Sequence, residues 1–173
     1  TNNDDGHRTA TDLAAAGVDV AAIIDSRPDA PKSEVAEVLA GAVVTGTGGR
    51  LGIGHVDIRL AGGGRKHVQC GALAVSGGWN PNVHLTCHHR GRPTWQDDIA
   101  AFVPGEGVPE GMAVAGAARG VFGTAGTIAD GEAQAIAQLA EIGINAAADT
   151  LPEAEDAPVR ITPLWNVPGK KRA

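Results

Sequence analysis

The sequence predicts an α/β chain with parallel strands and a small antiparallel insertion, and three stretches carry that expectation. Val18-Asp19-Val20-Ala21-Ala22-Ile23-Ile24-Asp25 is a short apolar run that ends on an acid, as a buried parallel strand with its tip at a crevice would. Ala72-Leu73-Ala74-Val75-Ser76 is a second short apolar run, and it stops at Gly77-Gly78-Trp79-Asn80-Pro81. Between them lie Ala42-Val43-Val44-Thr45, residues 53–60 and Lys66-His67-Val68-Gln69-Cys70. The glycines Gly62-Gly63-Gly64 separate the last two as a hairpin signal. Together these features read as a partial, Rossmann-like dinucleotide-binding domain with a small antiparallel β insertion.

In order, residues 1–6 are polar and turn-like, and a helix over residues 8–16 stops at Gly17. The strand over residues 18–25 follows. Pro28 and Pro31 break the chain, and Ser33 caps a short helix through residue 39. The β insertion leads to a last parallel strand over residues 72–76. Residues 83–104 are loop-rich, and Met112-Ala113-Val114-Ala115-Gly116 reads as another strand. A long helix is predicted over residues 124–142, with Ile128, Ala135, Ile136 and Leu139 on its apolar positions. Acids and prolines dominate from Leu151, and the segment from Pro163 to Pro168 is expected to pack on a neighbouring domain. The expected divisions are 1–81, a pyridine-nucleotide-type domain; 82–150, a return to a first dinucleotide-binding domain; and 151–173, a linker.

The 173 residues suffice for one or two domains. A net charge of -6 and an isoelectric point near 5.4 argue against nucleic-acid binding, which needs a basic surface. The closing Lys170-Lys171-Arg172 reads as solvated chain. No apolar run approaches the roughly 20 residues of a membrane span. Cys70 and Cys87 stand without metal-type spacing, which points to a reduced, cytoplasmic chain. A first residue of Thr1 and an uncapped end predict an internal piece of a longer polypeptide.

Two places invite a ligand. Asp25 sits where a Rossmann unit puts the carboxylate that bonds an adenosine ribose, with Arg27 beside it. The glycine-rich phosphate loop belongs about 20 residues earlier, and only Gly6 stands there, so Asp25 is either a working contact or a structural remnant. The stronger candidate is Gly116, Ala117, Gly120, Val121, Phe122, Gly123 and Thr124, a small-residue loop opening a long helix. Such a loop aims free N–H groups and the positive dipole end at a ligand, or it simply packs strand to helix. His84, Cys87, His88 and His89 show no metal spacing and read as loop decoration. Trp79, Trp95 and Phe102 read as packing residues. No metal ligand and no catalytic acid, base or nucleophile is assigned.

Leu73-Ala74-Val75-Ser76-Gly77-Gly78-Trp79-Asn80-Pro81, followed by Val83-His84-Leu85, resembles the alpha subunit of heterotetrameric sarcosine oxidase. Asp12-Leu13-Ala14-Ala15-Ala16-Gly17-Val18, Val20-Ala21-Ala22-Ile23-Ile24-Asp25, Ala101-Phe102-Val103-Pro104-Gly105, Ala113-Val114-Ala115-Gly116-Ala117 and Pro163-Leu164-Trp165 extend the resemblance in order. It implies NAD in the alpha subunit, FAD and FMN in the assembled enzyme, and beta, gamma and delta subunits as partners. It also implies tetrahydrofolate bound through a domain outside this chain, and oxidation of sarcosine to glycine and hydrogen peroxide. On that resemblance residues 116–124 line the dinucleotide site, Gly77 and Gly78 edge the same cleft, and the isolated chain is inactive. Two departures stand out: residues 84–92, and Arg119 where a small or amide residue is usual. Alternative readings are a related subunit of an opine oxidase or hydrogen cyanide synthase, or a non-catalytic nucleotide-binding module.

Overall fold

The computed structural model describes residues 1–88 and 90–167, and the chain divides into two compact units. One comprises Thr1–Gly78 with the segment from Val159 onward; the other is Trp79–Pro158.

In the first unit, α1 (Asp4–Ala15) begins where the Asn3 side chain accepts a hydrogen bond from the Gly6 N–H at 3.3 Å. Asp4 and Asp5 lie in its first turn, where the helix dipole favours negative charge. The helix therefore starts four residues before the expected Arg8. It ends as predicted at Gly17, in the left-handed conformation, with the Gly17 and Val18 N–H groups closing onto Ala14 and Leu13 carbonyls.

β1 (Ile23–Asp25) pairs in parallel with β2 (Val38–Ala40), with Ile23 opposite Val38 and Asp25 opposite Ala40. β3 (Val43–Gly48), β4 (His55–Arg59) and β5 (Arg65–Gln69) form an antiparallel meander, with a bulge in β3 between Val44 and Gly46. The sequence predicts these three short strands and their hairpin, though as an insertion within a parallel-sheet domain. Val56 and Ile58 alternate inward and join Ala42 in a core to which Ile24, Leu39, Val44, Val68 and Leu73 add their apolar surface. His55, Asp57 and Arg59 take the alternate positions on β4 and face away from that core.

The second unit holds a short 3-10 turn at Leu85–Cys87 and a small antiparallel pair, β6 (Thr94–Gln96) and β7 (Ala101–Val103). Trp95 meets Phe102 edge to face, with ring centroids 5.1 Å apart, so these two aromatics pack on each other. A 3-10 turn at Gly116–Arg119 leads into α2 (Thr124–Glu141), which lies where its periodicity places it. Among the described residues no helix is long and apolar enough to cross a membrane.

The Rossmann-like α/β expectation is not met. The described residues hold two helices and three small sheets, and β1 with β2 is the only parallel pair among them. Short apolar runs specify a strand only when a neighbouring strand completes the ladder. Residues 18–22 and the whole of 72–76 find none, and Val75 is 82% exposed. Residues 112–115 likewise carry no ladder. The helix expected over residues 33–39 is also absent. The Ser33 hydroxyl accepts the Val35 N–H in a local turn, and Val38-Leu39-Ala40 goes to β2 instead.

Candidate functional site

The first unit is organised around Asp25, whose side chain and that of Arg27 are both 0% exposed. The Arg27 backbone N–H and Nε donate to Asp25 Oδ1 at 2.9 and 3.1 Å, and Nη2 donates to Oδ2 at 2.7 Å. His7, one turn into α1, places Nε2 2.7 Å from the same Oδ2. Arg27 Nη1 also donates to Asp4 at 2.6 Å and to the Arg160 carbonyl at 2.8 Å, tying the returning segment to α1 and β1. Burial pushes the Asp25 carboxyl up, but the hydrogen bonds from Arg27 and His7 outweigh it and hold the group below its ordinary value. The bonds from Arg27 to Asp25 and Asp4 raise Arg27 against the opposing effect of its own burial. Burial also opposes ionisation of Asp4, yet the Arg160 N–H and the Arg27 side chain bring it below its ordinary value.

The carboxylate expected to meet a ribose is thus enclosed by partners from its own chain. Beside it opens a shallow cavity of about 290 Å³, lined by His7, Arg8, Thr11, Lys32, Ser33 and neighbouring residues. His7 Nδ1 is buried without a hydrogen-bond partner.

The second candidate lies at the start of α2. Gly116 has φ 60, and a Cβ there would stand 2.7 Å from Thr127 Cγ2, so both backbone conformation and space call for glycine. Its N–H donates to Asp130 Oδ2 at 2.8 Å, and Arg119 donates to the other oxygen of the same carboxylate at 2.6 Å. The unusual Arg119 therefore pairs with α2 itself. Farther along, the N–H groups of Ala125 and Gly126 each donate to the Asp156 carboxylate at 2.8 Å. A Cβ on Gly123 would stand only 2.2 Å from Asp156 Oδ2, so this close approach also depends on a missing side chain. The α2 terminus accordingly holds an anionic group, supplied by a residue some 30 positions downstream. Ala117, Gly120, Val121, Phe122 and Thr124 complete the surrounding loop, and the Thr127 hydroxyl donates to the Val121 carbonyl at 2.8 Å.

The other predicted residues make none of the hydrogen bonds described above. Gly78 has φ 94, and a Cβ on it would reach Ile161 Cδ1 at 2.3 Å; around Gly77 the space is open. Trp79 is 69% exposed. His84 and His88 are exposed and Cys87 is half-buried, whereas His89 lies outside the described residues. The Lys170-Lys171-Arg172 run and Pro168 also lie outside them. Asp4, His7, Asp130, Asp156 and Arg160 escape sequence reasoning, since no local pattern distinguishes them from surface charge.

Comparison with known proteins decides the family. The chain is 39% identical over 175 residues to the sarcosine oxidase subunit alpha of Rhizobium meliloti (strain 1021), a match covering 99% of this chain. It is 34% identical over 182 residues to the subunit of the same name from Corynebacterium sp. (strain U-96), covering 97%. The chain belongs to the sarcosine oxidase alpha-subunit family. It spans about 18% of the length of either relative. No family model matches. In this chain the Ser76-Gly77-Gly78-Trp79 segment marks the passage from the first compact unit to the second. Ser76 is tied back to Asn3 by its hydroxyl at 3.1 Å and its carbonyl at 3.2 Å.

Proposed function

We propose that this chain serves as part of the alpha subunit of a cytoplasmic, multi-subunit sarcosine oxidase. The complex takes sarcosine, oxygen and water to glycine, formaldehyde and hydrogen peroxide, or passes the one-carbon unit to tetrahydrofolate. The observation that carries this reading is the 39% identity, which runs across 99% of the chain. Beta, gamma and delta subunits complete the complex, with FAD and FMN as its flavins and NAD held by the alpha subunit. Amine oxidation is largely flavin chemistry, to which protein contributes position and field. Within that scheme the chain contributes binding groups and no acid, base or nucleophile.

Residues 116–126 supply the dinucleotide-facing groups in this reading. Ala125 and Gly126 already donate to a carboxylate, and the same donors suit a phosphate oxygen once Asp156 moves away. A bound nicotinamide dinucleotide would supply a hydride-accepting ring, and Gly116, Gly120 and Gly123, which lack side chains, would let a ligand approach the backbone. Asp25 has a structural part in this reading, holding Arg27, which ties α1 to the returning segment at Arg160.

The test is sarcosine-dependent peroxide formation by the protein in its native assembly. Glycine and peroxide formed in equal amounts are expected. An assembled, flavin-loaded protein that leaves sarcosine untouched would overturn the reading. NAD retention separates the second part, since substitution of Gly123 by Val should lower it without affecting flavin content.

A further inference from the structure

The outer face of the β3–β4–β5 sheet carries a group of side chains outside both clusters already described. His55 and Asp57 alternate on β4, and the antiparallel register sets His67 directly opposite Asp57. One ligating atom from each of His55, Asp57 and His67 lies within 4.8 Å of the other two. The two imidazole rings lie 4.0 Å apart, centre to centre, tilted by 35°. His67 Nδ1 is 3.1 Å from Asp57 Oδ1, and its Nε2 is 3.1 Å from the Gln69 amide nitrogen. Binding a metal would exchange one of these two contacts for a metal–nitrogen bond.

The third strand leaves room for this group. Gly48 stands opposite His55 and Gly46 opposite Asp57. A Cβ on Gly48 would lie 2.4 Å from His55 Nε2, so the imidazole occupies the place of the missing side chain. Glycine weakens a strand interior by roughly 0.5–1 kcal/mol and often marks close approach of a ligand or another group. The β3 bulge falls beside the same two glycines, a device that redirects side chains next to functional sites.

We propose that His55, Asp57 and His67 form a three-ligand site for a divalent first-row transition ion on this open sheet face. Two nitrogens and one carboxylate suit zinc or its neighbours, whereas magnesium and calcium need shells of oxygen. Arg59 and Arg65, paired at the hairpin end of the same face, weaken any purely electrostatic attraction for a cation. Binding therefore rests on direct metal–nitrogen bonds. Bonds of about 2.0–2.1 Å place tetrahedral ligand atoms roughly 3.3 Å apart, within reach of small side-chain rotations here. Three protein ligands leave at least one position for water or a small ligand. Spanning β4 and β5, the ion would also clip the hairpin.

The experiment uses the native protein, stripped with a chelator and titrated with zinc, with magnesium as the control. The wild type should take up one more zinc than His67→Gln, and Asp57→Asn should weaken that zinc at least as much as the 10–100-fold typical of losing a mere outer-shell partner. His84→Gln/His88→Gln should retain it. Cobalt in the same site should give visible absorption bands that His67→Gln abolishes, with unchanged circular dichroism showing that the fold persists. Equal zinc uptake by wild type and His67→Gln, loss of that zinc in the His84/His88 variant, or magnesium binding as tight as zinc would overturn the proposal.

Discussion

Replacing Arg27 by Met tests the buried network most directly. The change keeps the length of the side chain and removes a guanidinium that binds Asp25, Asp4 and the Arg160 carbonyl. Asp25 would then keep only the residue-27 backbone N–H and His7, inside a site that is 0% exposed. Breaking a buried ion pair by deleting one partner costs about 3–5 kcal/mol, against a typical domain stability of about 5–15. With a urea dependence of about 2 kcal/mol per molar, the midpoint for this unit should fall by roughly 1.5–2.5 M. Hydrogen exchange at the β1 amides, followed through urea in the native assembly, reports this unit specifically. Asp25→Leu/Arg27→Met, which leaves no buried charge of the pair behind, should recover much of the loss. A single-variant cost below about 1 kcal/mol, or a double-variant cost equal to the sum of the singles, would refute the argument that these charges depend on each other.

Asp25 and Asp4 both ionise below their ordinary value of 3.8, so their contribution to stability is complete above that value and disappears as pH falls through their lower folded values. Exchange protection at β1 should therefore persist on acidification from about pH 5 and collapse only below about pH 3.8, and Asp25→Asn should flatten that dependence. At α2, Asp156→Ala removes the acceptor of the Ala125 and Gly126 N–H groups. The cost should be about 1 kcal/mol, seen as roughly fivefold faster exchange of the first-turn amides. Gly123→Ala should produce the same acceleration by expelling that carboxylate, and combining the two changes should add little. Gly78→Ala imposes both a left-handed conformation and a collision with Ile161, and should cost about 1–3 kcal/mol in thermal unfolding. Ile161→Ala in the same chain should return part of it.

What the sequence discloses, and what it withholds, follows from the range of each interaction. α2 is legible because its helix needs only its own periodicity, and the β3–β5 meander because alternation and Gly62-Gly63-Gly64 lie close together. Asp25 is legible as an exceptional position, an acid closing an apolar run. Its meaning is not, because Arg160 meets Arg27 across 133 residues of chain, and nothing local announces that return. The loop before α2 likewise reads as an anion-binding terminus, while the carboxylate that fills it comes from 30 residues beyond. His55 and Asp57 show their shared face by spacing alone; His67 joins them only through the strand register. The parallel-sheet expectation failed for the same reason. An apolar pentapeptide such as Ala72-Leu73-Ala74-Val75-Ser76 becomes a strand only if another strand lies beside it, and among the described residues none does. In its place Leu73 alone reaches the core and Ser76 anchors to Asn3 at the cap of α1. The segment that carries the resemblance in the sequence is thereby held at two points as the chain leaves the first unit. That is the work of a junction, and it asks for a fixed path more than for a place in a sheet.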